Sequence, residues 1–464
     1  MGFSKAYSKS IRSFDDYGKE AFMTKTQKET LESIFRAGLK AVDPENAVLQ
    51  YVRREGNLLY AGEKSYNLDD FKRVLLIGAG KGTAPMAKAI EDILEAYLTE
   101  GLIIVKYGHG VPLKKTITME AGHPIPDESG LKATERIIKK IEECTEDDLI
   151  ICAFSGGGSA LLPAPWLPVD LDQKQETTRL LLECGATINE INAIRKHLSH
   201  SKGGWLAKAS YPASLISLIL SDVIGDRLDI IASGPTVPDE NTYSDCANII
   251  EKYDLVEKLP NGVVEHFKQG MAGAIPETPK PGDQVFSKTH NIIVGNSRSA
   301  LLAAKQEAIS LGYNTMIISS QIEGEAKEAA KFLAAIGKEI SQADLPVSPP
   351  ACILAGGETT VTIQGNGKGG RNQELALSFA IAIDGWEKIA FISAGTDGTD
   401  GPTDAAGAIV DGLTCRKALQ KNLNPYTFLS NNDSNSFFEP LGDLLKTGPT
   451  RTNVMDIMCI VIEE

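Results

Sequence analysis

Lys81 lies in a glycine turn that follows a short apolar run, in the stretch VLLIGAGKGTAPMAKAI at residues 74–90. A strand, a glycine turn and a helix in succession expose backbone N–H groups and the positive end of the helix dipole, which together attract an anion. A lysine in the turn adds a full positive charge. The stretch therefore predicts an anion site formed by Gly78, Gly80, Lys81 and Gly82. A tight turn with a solvated lysine is the alternative.

The same turn departs from two familiar nucleotide-binding motifs. Gly78 and Gly80 fit the G-x-G-x-x-G dinucleotide pattern, but Thr83 stands where the third glycine belongs. The next apolar run, GLIIVKYGHG, has no Asp or Glu at its end to bind a ribose hydroxyl. A P-loop is excluded because Gly82, instead of Ser or Thr, follows Lys81. These departures argue against hydride transfer from NAD.

A second glycine turn follows another apolar run, in AFSGGGSALLPAP at residues 153–165. Its successive N–H groups and two hydroxyls form a nest suited to phosphate or carboxylate oxygens. The G-x-S-x-G pattern of a hydrolase nucleophile is absent, because the serines flank the glycines. We expect substrate or nucleotide contacts from the five residues of this turn: Ser155, Gly156, Gly157, Gly158 and Ser159.

Carboxylates follow two further apolar runs, in LSDVIGDRLDIIASGPTVPD and SAGTDGTDGPTDAAG. Ligands of α/β proteins bind at the carboxyl ends of parallel strands, so carboxylates placed there can hold Mg²⁺ or orient a hydroxyl. Asp222 is our first choice for either role, with Asp226 and Asp397 as further candidates for the metal. Helix caps and turn-stabilising carboxylates are the alternative.

A third glycine-rich segment, AGGETTVTIQGNGKGGRNQE, lies in the second half of the chain. Arg371 offers a planar fork suited to a carboxylate or phosphate. Glu358 stands beside the first glycines, and Lys368 and Asn372 flank the arginine. We expect all four to contribute to substrate or nucleotide binding.

Short apolar runs alternate with amphipathic helical patterns along the chain, which is typical of a doubly wound α/β fold with parallel strands. The 464 residues exceed one ordinary core. We predict a flexible extension over residues 1–22 and a Rossmann-like three-layer αβα domain over 23–288. A second αβα domain over 289–464 should have a mixed sheet, because GGETTVTIQGNGKGG resembles a strand running into a long turn.

Composition excludes several classes of protein. The formal net charge of −14 disfavours nucleic acid as a partner. No run of 18 apolar residues predicts a membrane span. The seven cysteines are scattered without a CxxC pair, so neither a disulfide framework nor a zinc site is indicated, and we expect a reducing cytoplasm.

Seven blocks of the sequence, taken in order, closely resemble the glycerate 2-kinases of the MOFRL family. The resemblance extends from about Met23 to the C-terminus. The blocks are GAGKGTAPMA, SGGGSALLPAP, INAIRKHLSHSKGGWLA, LSDVIGDRLDIIASGPTVPD, GGETTVTIQGNGKGGRNQE, SAGTDGTDGPTDAAGA and TGPTRTNVMDIMCIVI.

The resemblance implies two α/β domains and an active site in the cleft between them. It implies that ATP, with Mg²⁺, phosphorylates the 2-hydroxyl of D-glycerate to give 2-phospho-D-glycerate and ADP. The family's turn lysine and the arginine before NQE, both implicated there in substrate binding or catalysis, fall on Lys81 and Arg371. From motif position we add Arg195, in the third block, to the binding residues.

Two other functions stay open at this point. One is an NAD(P)H-dependent hydroxypyruvate reductase, and the other is a non-catalytic protein that binds an anionic metabolite. In each case the expected partners are small molecules, and a homodimer is left open.

Overall fold

The computed structural model of the protein describes residues 25–464, so the extension predicted over residues 1–22 lies outside them. Helix α1 buries Leu31, Ile34 and Phe35 on one face, as their spacing predicts. A small antiparallel sheet follows the second helix. These first elements are α1 (Lys25–Ala41), α2 (Pro44–Tyr51), β1 (Val52–Glu55), β2 (Leu58–Ala61) and β3 (Lys64–Asn67).

A six-stranded sheet forms the centre of the first half and runs in the order β6-β5-β4-β7-β8-β9. All its neighbouring strands are parallel. Its strands are β4 (Arg73–Ala79), β5 (Glu100–Lys106), β6 (Thr116–Ala121), β7 (Asp148–Phe154), β8 (Ser214–Leu220) and β9 (Thr289–Gly295). The predicted parallel α/β sheet is confirmed.

Helices cover both faces of this first sheet, which is why its strands are almost continuously apolar. Leu76 packs into the same core as α1 and α2, whereas Leu75 packs with Ile137 of α4 on the other face. The helices of this half are α3 (Thr83–Leu94), α4 (Glu128–Glu142), α5 (Gly158–Leu161), α6 (Leu171–Glu183), α7 (Ile188–His197), α8 (Trp205–Ser210), α9 (Tyr243–Lys252) and α10 (Asn261–Met271).

The second half contains another six-stranded sheet, in the order β10-β11-β15-β12-β13-β14. Its strands are β10 (Asn314–Ile322), β11 (Ala351–Gly357), β12 (Ile389–Gly395), β13 (Gly407–Asp411), β14 (Leu444–Leu445) and β15 (Asp456–Ile462). The surrounding helices are α11 (Ser297–Ser310), α12 (Ala326–Ala343), α13 (Arg371–Ala382), α14 (Thr414–Gln420), α15 (Pro425–Ser430) and α16 (Ser434–Phe438).

This second sheet is mixed, as predicted, but for a different reason. The strand expected to run on past Gly357 ends there, and Thr360 forms only an isolated bridge with Glu325. The antiparallel strand is instead β15, which lies between β11 and β12 and pairs with both.

Two elements cross the division predicted between residues 288 and 289. Strand β9 begins at Thr289 yet pairs with β8 of the first sheet. Helix α1 packs against α11 and β15 of the second half. The domain limits stay a prediction. The positions of β9 and α1 show that each half of the sequence contributes an element to the other half of the structure. No helix within residues 25–464 is both long and apolar enough to cross a membrane.

Candidate active site

The two glycine turns predicted separately in the first half form one unit. Gly80 has a φ of 148°, and a Cβ on it would overlap the Ser155 hydroxyl and carbonyl. The Gly82 N–H donates to Ser155 Oγ at 2.9 Å, and the Lys81 N–H donates to the Gly156 carbonyl at 2.9 Å. The buried Ser155 hydroxyl thus caps the start of α3 and fixes the backbone that carries Lys81.

The glycines of the second turn let two polar side chains approach closely. A Cβ on Gly156 would overlap the Asp222 carboxylate, and one on Gly157 would overlap the His123 ring. Contacts of these backbone N–H groups with a ligand remain a prediction. The other two predicted glycines pack against the strand backbone, at Gly78 and Gly158.

Asp222 follows β8 and is only partly exposed. Burial, with a further contribution from Glu358, raises the pKa of its carboxyl to about 6, although Lys81 opposes the shift. Among residues 25–464 no hydrogen bond or ion pair joins this carboxylate to another side chain. Asp226, by contrast, accepts a hydrogen bond from Asn296 Nδ2 at 2.6 Å. The carboxylate of Asp222 is therefore available to a ligand, whereas that of Asp226 helps to anchor the start of α11.

Arg371 stands at the start of α13 and is held by two carboxylates. Its Nε and Nη2 donate to Asp456 at 2.6 and 3.0 Å, and its Nη1 donates to Glu358 at 2.7 Å. Asp456 is fully buried at the start of β15. Burial raises the pKa of Glu358, while Arg371 opposes that shift. The guanidinium is thus fixed in orientation with part of its donor set still available.

Asp400 supports the start of α13 from outside the helix. Its carboxylate accepts from the Asn372 and Gln373 N–H groups at 3.0 and 2.9 Å. Burial raises the pKa of Asp400 to about 6. The Asn372 side chain accepts from Ser393 Oγ at 2.7 Å. Asn372 therefore bonds within the protein here, and the ligand contact predicted for it stays untested.

Asp397 follows β12 and connects the two halves of the site. Its Oδ2 lies 4.0 Å from Lys81 Nζ, and its Oδ1 accepts from the N–H and hydroxyl of Thr399, both at 3.0 Å. Within the described part of the chain, no group of three or more His, Cys, Asp or Glu is arranged to hold a metal ion. The three predicted metal ligands therefore do not come together as one set: Asp222, Asp226 and Asp397.

Three predicted binding residues make no hydrogen bond or ion pair with Lys81, Asp222 or Arg371 in the described part of the chain. Lys368 is exposed, and its backbone bonds to Asp433 and Asn435. Ser159 shares a hydroxyl hydrogen bond of 2.9 Å with Ser233. Arg195 is mostly buried in α7.

Sequence reasoning missed two histidines beside Lys81. His109 Nδ1 lies 3.3 Å from the Lys81 carbonyl. Burial, followed by the charges of Lys81 and Lys106, lowers the pKa of His123 to about 4, so this ring is neutral near pH 7. No motif contains either histidine, and the signal that marks them is the concentration of positive charge around the turn.

A loop from the second half also reaches the first. Thr452 Oγ1 donates to the Val42 carbonyl at 2.5 Å, and a Cβ on Gly156 would lie 3.4 Å from Asn453 Nδ2. The loop lies in the last of the seven blocks, TGPTRTNVMDIMCIVI, but no residue of that block was predicted to act in the site. The contacts described above bring together six residues of the two halves, and we name this candidate group the cleft site: Lys81, Asp222, Glu358, Arg371, Asp397 and Asp456.

Comparisons with known proteins assign this chain and its fold to a family. A family model described as a domain of unknown function matches residues 30–268, and the model of the MOFRL family matches residues 351–456. A D-glycerate 2-kinase of Thermotoga maritima is 42% identical over 94% of this chain and 99% of its own. A glycerate 2-kinase of Pyrococcus horikoshii is 41% identical over 91% of this chain and 94% of its own.

A further relative, from Agrobacterium vitis, carries the provisional name hydroxypyruvate reductase and is 39% identical over 94% of each chain. The crystal structure of glycerate kinase from Thermotoga maritima matches with a TM-score of 0.84 at 40% identity, over 94% of this chain and 99% of that one. The fold is that of the α/β glycerate kinases. The chain belongs to the glycerate 2-kinase family that carries the MOFRL domain.

Proposed function

We propose that the protein transfers the γ-phosphoryl group of ATP to the 2-hydroxyl of D-glycerate, giving 2-phospho-D-glycerate and ADP. The bond from glycerate O2 to phosphorus forms, the bond from the γ-phosphorus to the β,γ-bridging oxygen breaks, and the hydroxyl proton is released. The observation that carries the proposal is the approach of Lys81 Nζ to Asp397 within 4.0 Å. It brings an anion-binding turn of one half against strand-end carboxylates of the other.

Lys81 binds the phosphoryl group in transfer. Phosphoryl transfer depends mainly on positioning and on neutralising charge, because the transition state spreads negative charge over the equatorial oxygens. Lys81 extends from the start of α3, and its backbone is fixed by Ser155 and Gly156. A cation held in this way stabilises the transferring group without reorganising.

Asp222 is the best candidate for orienting the 2-hydroxyl and receiving its proton. With a pKa raised to about 6, it is mainly ionised at pH 7.5 and more basic than an ordinary aspartate. The same unengaged carboxylate, with Glu358 near it, fits Mg²⁺, which takes one or two carboxylates together with phosphate oxygens. Bound Mg²⁺ would supply further charge neutralisation on the ATP phosphates.

Arg371 binds the glycerate carboxylate or shares the phosphoryl group with Lys81. Asp456 and Glu358 occupy three of its N–H donors. A guanidinium has five such donors, so about two remain for a ligand. The buried Asp456 keeps them pointing in one direction.

A reductase is less well supported. In a dinucleotide site the second glycine allows the backbone to approach the pyrophosphate, but here the bare Cα of Gly80 faces Ser155. Strand β5 ends in Lys106 where a ribose-binding acid would stand.

We also infer a reducing compartment such as the cytoplasm, because the seven cysteines are all free thiols.

The test is to incubate the purified protein with ATP, Mg²⁺ and D-glycerate and to identify the product by NMR, which distinguishes the 2-phosphate from the 3-phosphate ester. We expect 2-phospho-D-glycerate in amounts equal to the ADP formed. Oxidation of NADH with hydroxypyruvate would favour the reductase instead. Binding of D-glycerate without consumption of ATP would favour the non-catalytic anion-binding protein.

A further inference from the structure

Three basic side chains in the first half, two buried and one partly buried, have no neutralising carboxylate among residues 25–464. Lys174 of α6 is only 6% exposed, and its Nζ has no hydrogen-bond partner among residues 25–464. Lys202 is 1% exposed and donates to the Ser159 carbonyl at 2.6 Å. Arg195 of α7 is mostly buried and has no hydrogen bond or ion pair within the described chain. Burying a charge without a partner costs free energy.

The next residue along α7 shows how this fold treats a buried charge with a structural role. Lys196 is 1% exposed, and its Nζ lies 3.2 Å from Asp239 and 3.5 Å from Asp229. The same helix therefore carries a buried cation that is paired, Lys196, and a partly buried one that is not, Arg195. The fold thus supplies acidic partners to Lys196 but not to Lys174, Arg195 and Lys202, so the missing partners are specific to the site of these three.

These cations lie close to one another. Asn192, one turn before Arg195 on α7, accepts a hydrogen bond from Ser233 at 3.3 Å, and Ser233 bonds to Ser159, whose carbonyl Lys202 contacts. Burial is the main cause that lowers the pKa of Lys202 and Lys174, and the charge of Arg195 lowers both further. The charge of Lys174 also lowers the pKa of Lys202. No carboxylate of the described residues alters the pKa of any of the three groups. An anion that entered this space would be the first negative charge to compensate them.

The group also adjoins the cleft site. The carbonyl that Lys202 contacts belongs to Ser159, at the end of the second glycine turn. Two residues earlier in that turn, a Cβ on Gly157 would lie 3.5 Å from Lys81 Cγ. The hydroxyls of Ser159 and Ser233 lie beside the same turn.

We propose that Lys174, Arg195 and Lys202 form a pocket for the polyphosphate chain of the nucleotide. The proposal rests on the proposed kinase function and deepens it. A triphosphate would favour the protonated form of each lysine and supply an acidic partner to all three basic groups, whereas the single carboxylate of glycerate would leave two of them unpaired. The pocket places the phosphates on the first-half side of the glycine turn, with Lys81 at the end where transfer occurs.

The experiment uses the full chain with the substitution Lys174→Met, which keeps the length of the side chain and removes its charge. Binding of ATP and of inorganic tripolyphosphate is measured by calorimetry, and thermal unfolding is measured without ligand. We expect affinity for both polyphosphates to fall at least about tenfold and the KM for D-glycerate to change less than about twofold. The Tm of the free protein should rise by about 2–6 °C, because a buried basic group without a hydrogen-bond partner is removed.

Lys196→Met is the matched control. It should lower the Tm, because Asp239 and Asp229 lose their cation, and it should leave tripolyphosphate affinity unchanged. If Lys196→Met does not fold, the exposed Lys139→Met replaces it, with both quantities unchanged. Lys174→Gln provides a second, polar replacement at the pocket and should show the same loss of polyphosphate affinity.

A lower Tm with unchanged tripolyphosphate affinity in Lys174→Met would overturn the proposal, because the lysine would then be structural. Loss of D-glycerate binding with normal tripolyphosphate binding would overturn it too, by assigning the pocket to the carboxylate. Tripolyphosphate binding needs no turnover. If the wild-type protein binds it through Lys174 but does not phosphorylate D-glycerate, the pocket stands and the kinase proposal fails.

Discussion

Asp222 and Arg371 illustrate two ways of holding a charge at one site. Arg371 is oriented by Asp456 and Glu358, so its charge is stabilised before any ligand arrives. Asp222 has no such partner in the described part of the chain, and burial raises its pKa to about 6. A group kept in an unfavourable state at this position is more readily explained by function than by stability.

The first prediction concerns Asp222→Asn. The raised pKa means that the folded state holds the Asp222 proton more tightly than the unfolded chain, whose carboxyl titrates near 3.8. The ionised group therefore destabilises the fold above about pH 6, and this cost disappears as the pH falls towards 4. We expect Asp222→Asn to increase the free energy of unfolding at pH 7.5 by roughly 1–3 kcal/mol, and to lower kcat at least about 100-fold.

Denaturant unfolding at pH 7.5 and pH 4 measures the stability effect, which should be smaller at the lower pH. The control is Asp147→Asn, whose exposed carboxylate pairs with Lys72. It should change stability by less than about 1 kcal/mol and leave turnover intact. Loss of stability together with normal turnover in Asp222→Asn would show that the carboxylate is structural.

Single residues differ in how far the sequence reveals them. Lys81 could be predicted because its strand, turn and helix are contiguous, and because its position fits neither the dinucleotide motif nor the P-loop. Asp456 could not, because it meets Arg371 across 85 positions of sequence. His123, Lys174 and Lys202 depend in the same way on side chains brought together only by folding.

At the scale of elements, the site depends on the crossing of the two turns that follow β4 and β7. Gly80 is the point of closest approach, since it has a positive φ and faces Ser155. Gly80→Ala should force the turns apart, displacing Lys81. We expect the free energy of unfolding to fall by about 3 kcal/mol or more and kcat to fall at least about tenfold. Chemical denaturation and the kinase assay measure these effects.

Gly185→Ala separates backbone strain from overlap. Gly185 also has a positive φ, of 77°, but a Cβ there meets nothing within 4 Å. It should cost only about 1–2 kcal/mol and leave kcat unchanged. Equal effects of the two substitutions on stability, with normal turnover in both, would contradict a role for the turn crossing in positioning Lys81.

The elements of the first sheet were easier to predict than those of the second. Continuous apolar strands separated by helices permit few arrangements other than a parallel sheet. The second sheet was predicted to be mixed, but the pattern after Gly357 suggested the wrong antiparallel segment. The insertion of β15 between β11 and β12 pairs the last strand with segments about 70 and 100 residues earlier, which local periodicity cannot indicate.

Across the whole molecule, the two halves are joined by a common apolar core and by a polar contact. One apolar core contains Phe35 of α1, Leu76 of the first sheet and Val461 of the second. The loop with Thr452 and Asn453 adds a polar contact from the second half to the first. The spacing between Lys81 and Arg371 is therefore set by contacts that neither half could make alone.

The most direct test of the account compares Lys81→Ala and Arg371→Ala, which remove one cation from each half. Formation of 2-phospho-D-glycerate from ATP and D-glycerate is measured in variants whose Tm shows that they are folded. Lys88→Ala, an exposed lysine on the same helix as Lys81, is the control and should turn over normally. We predict that each active-site variant loses at least about 100-fold in kcat. Near-wild-type turnover in either folded variant would contradict the claim that both halves act on one transferring phosphoryl group.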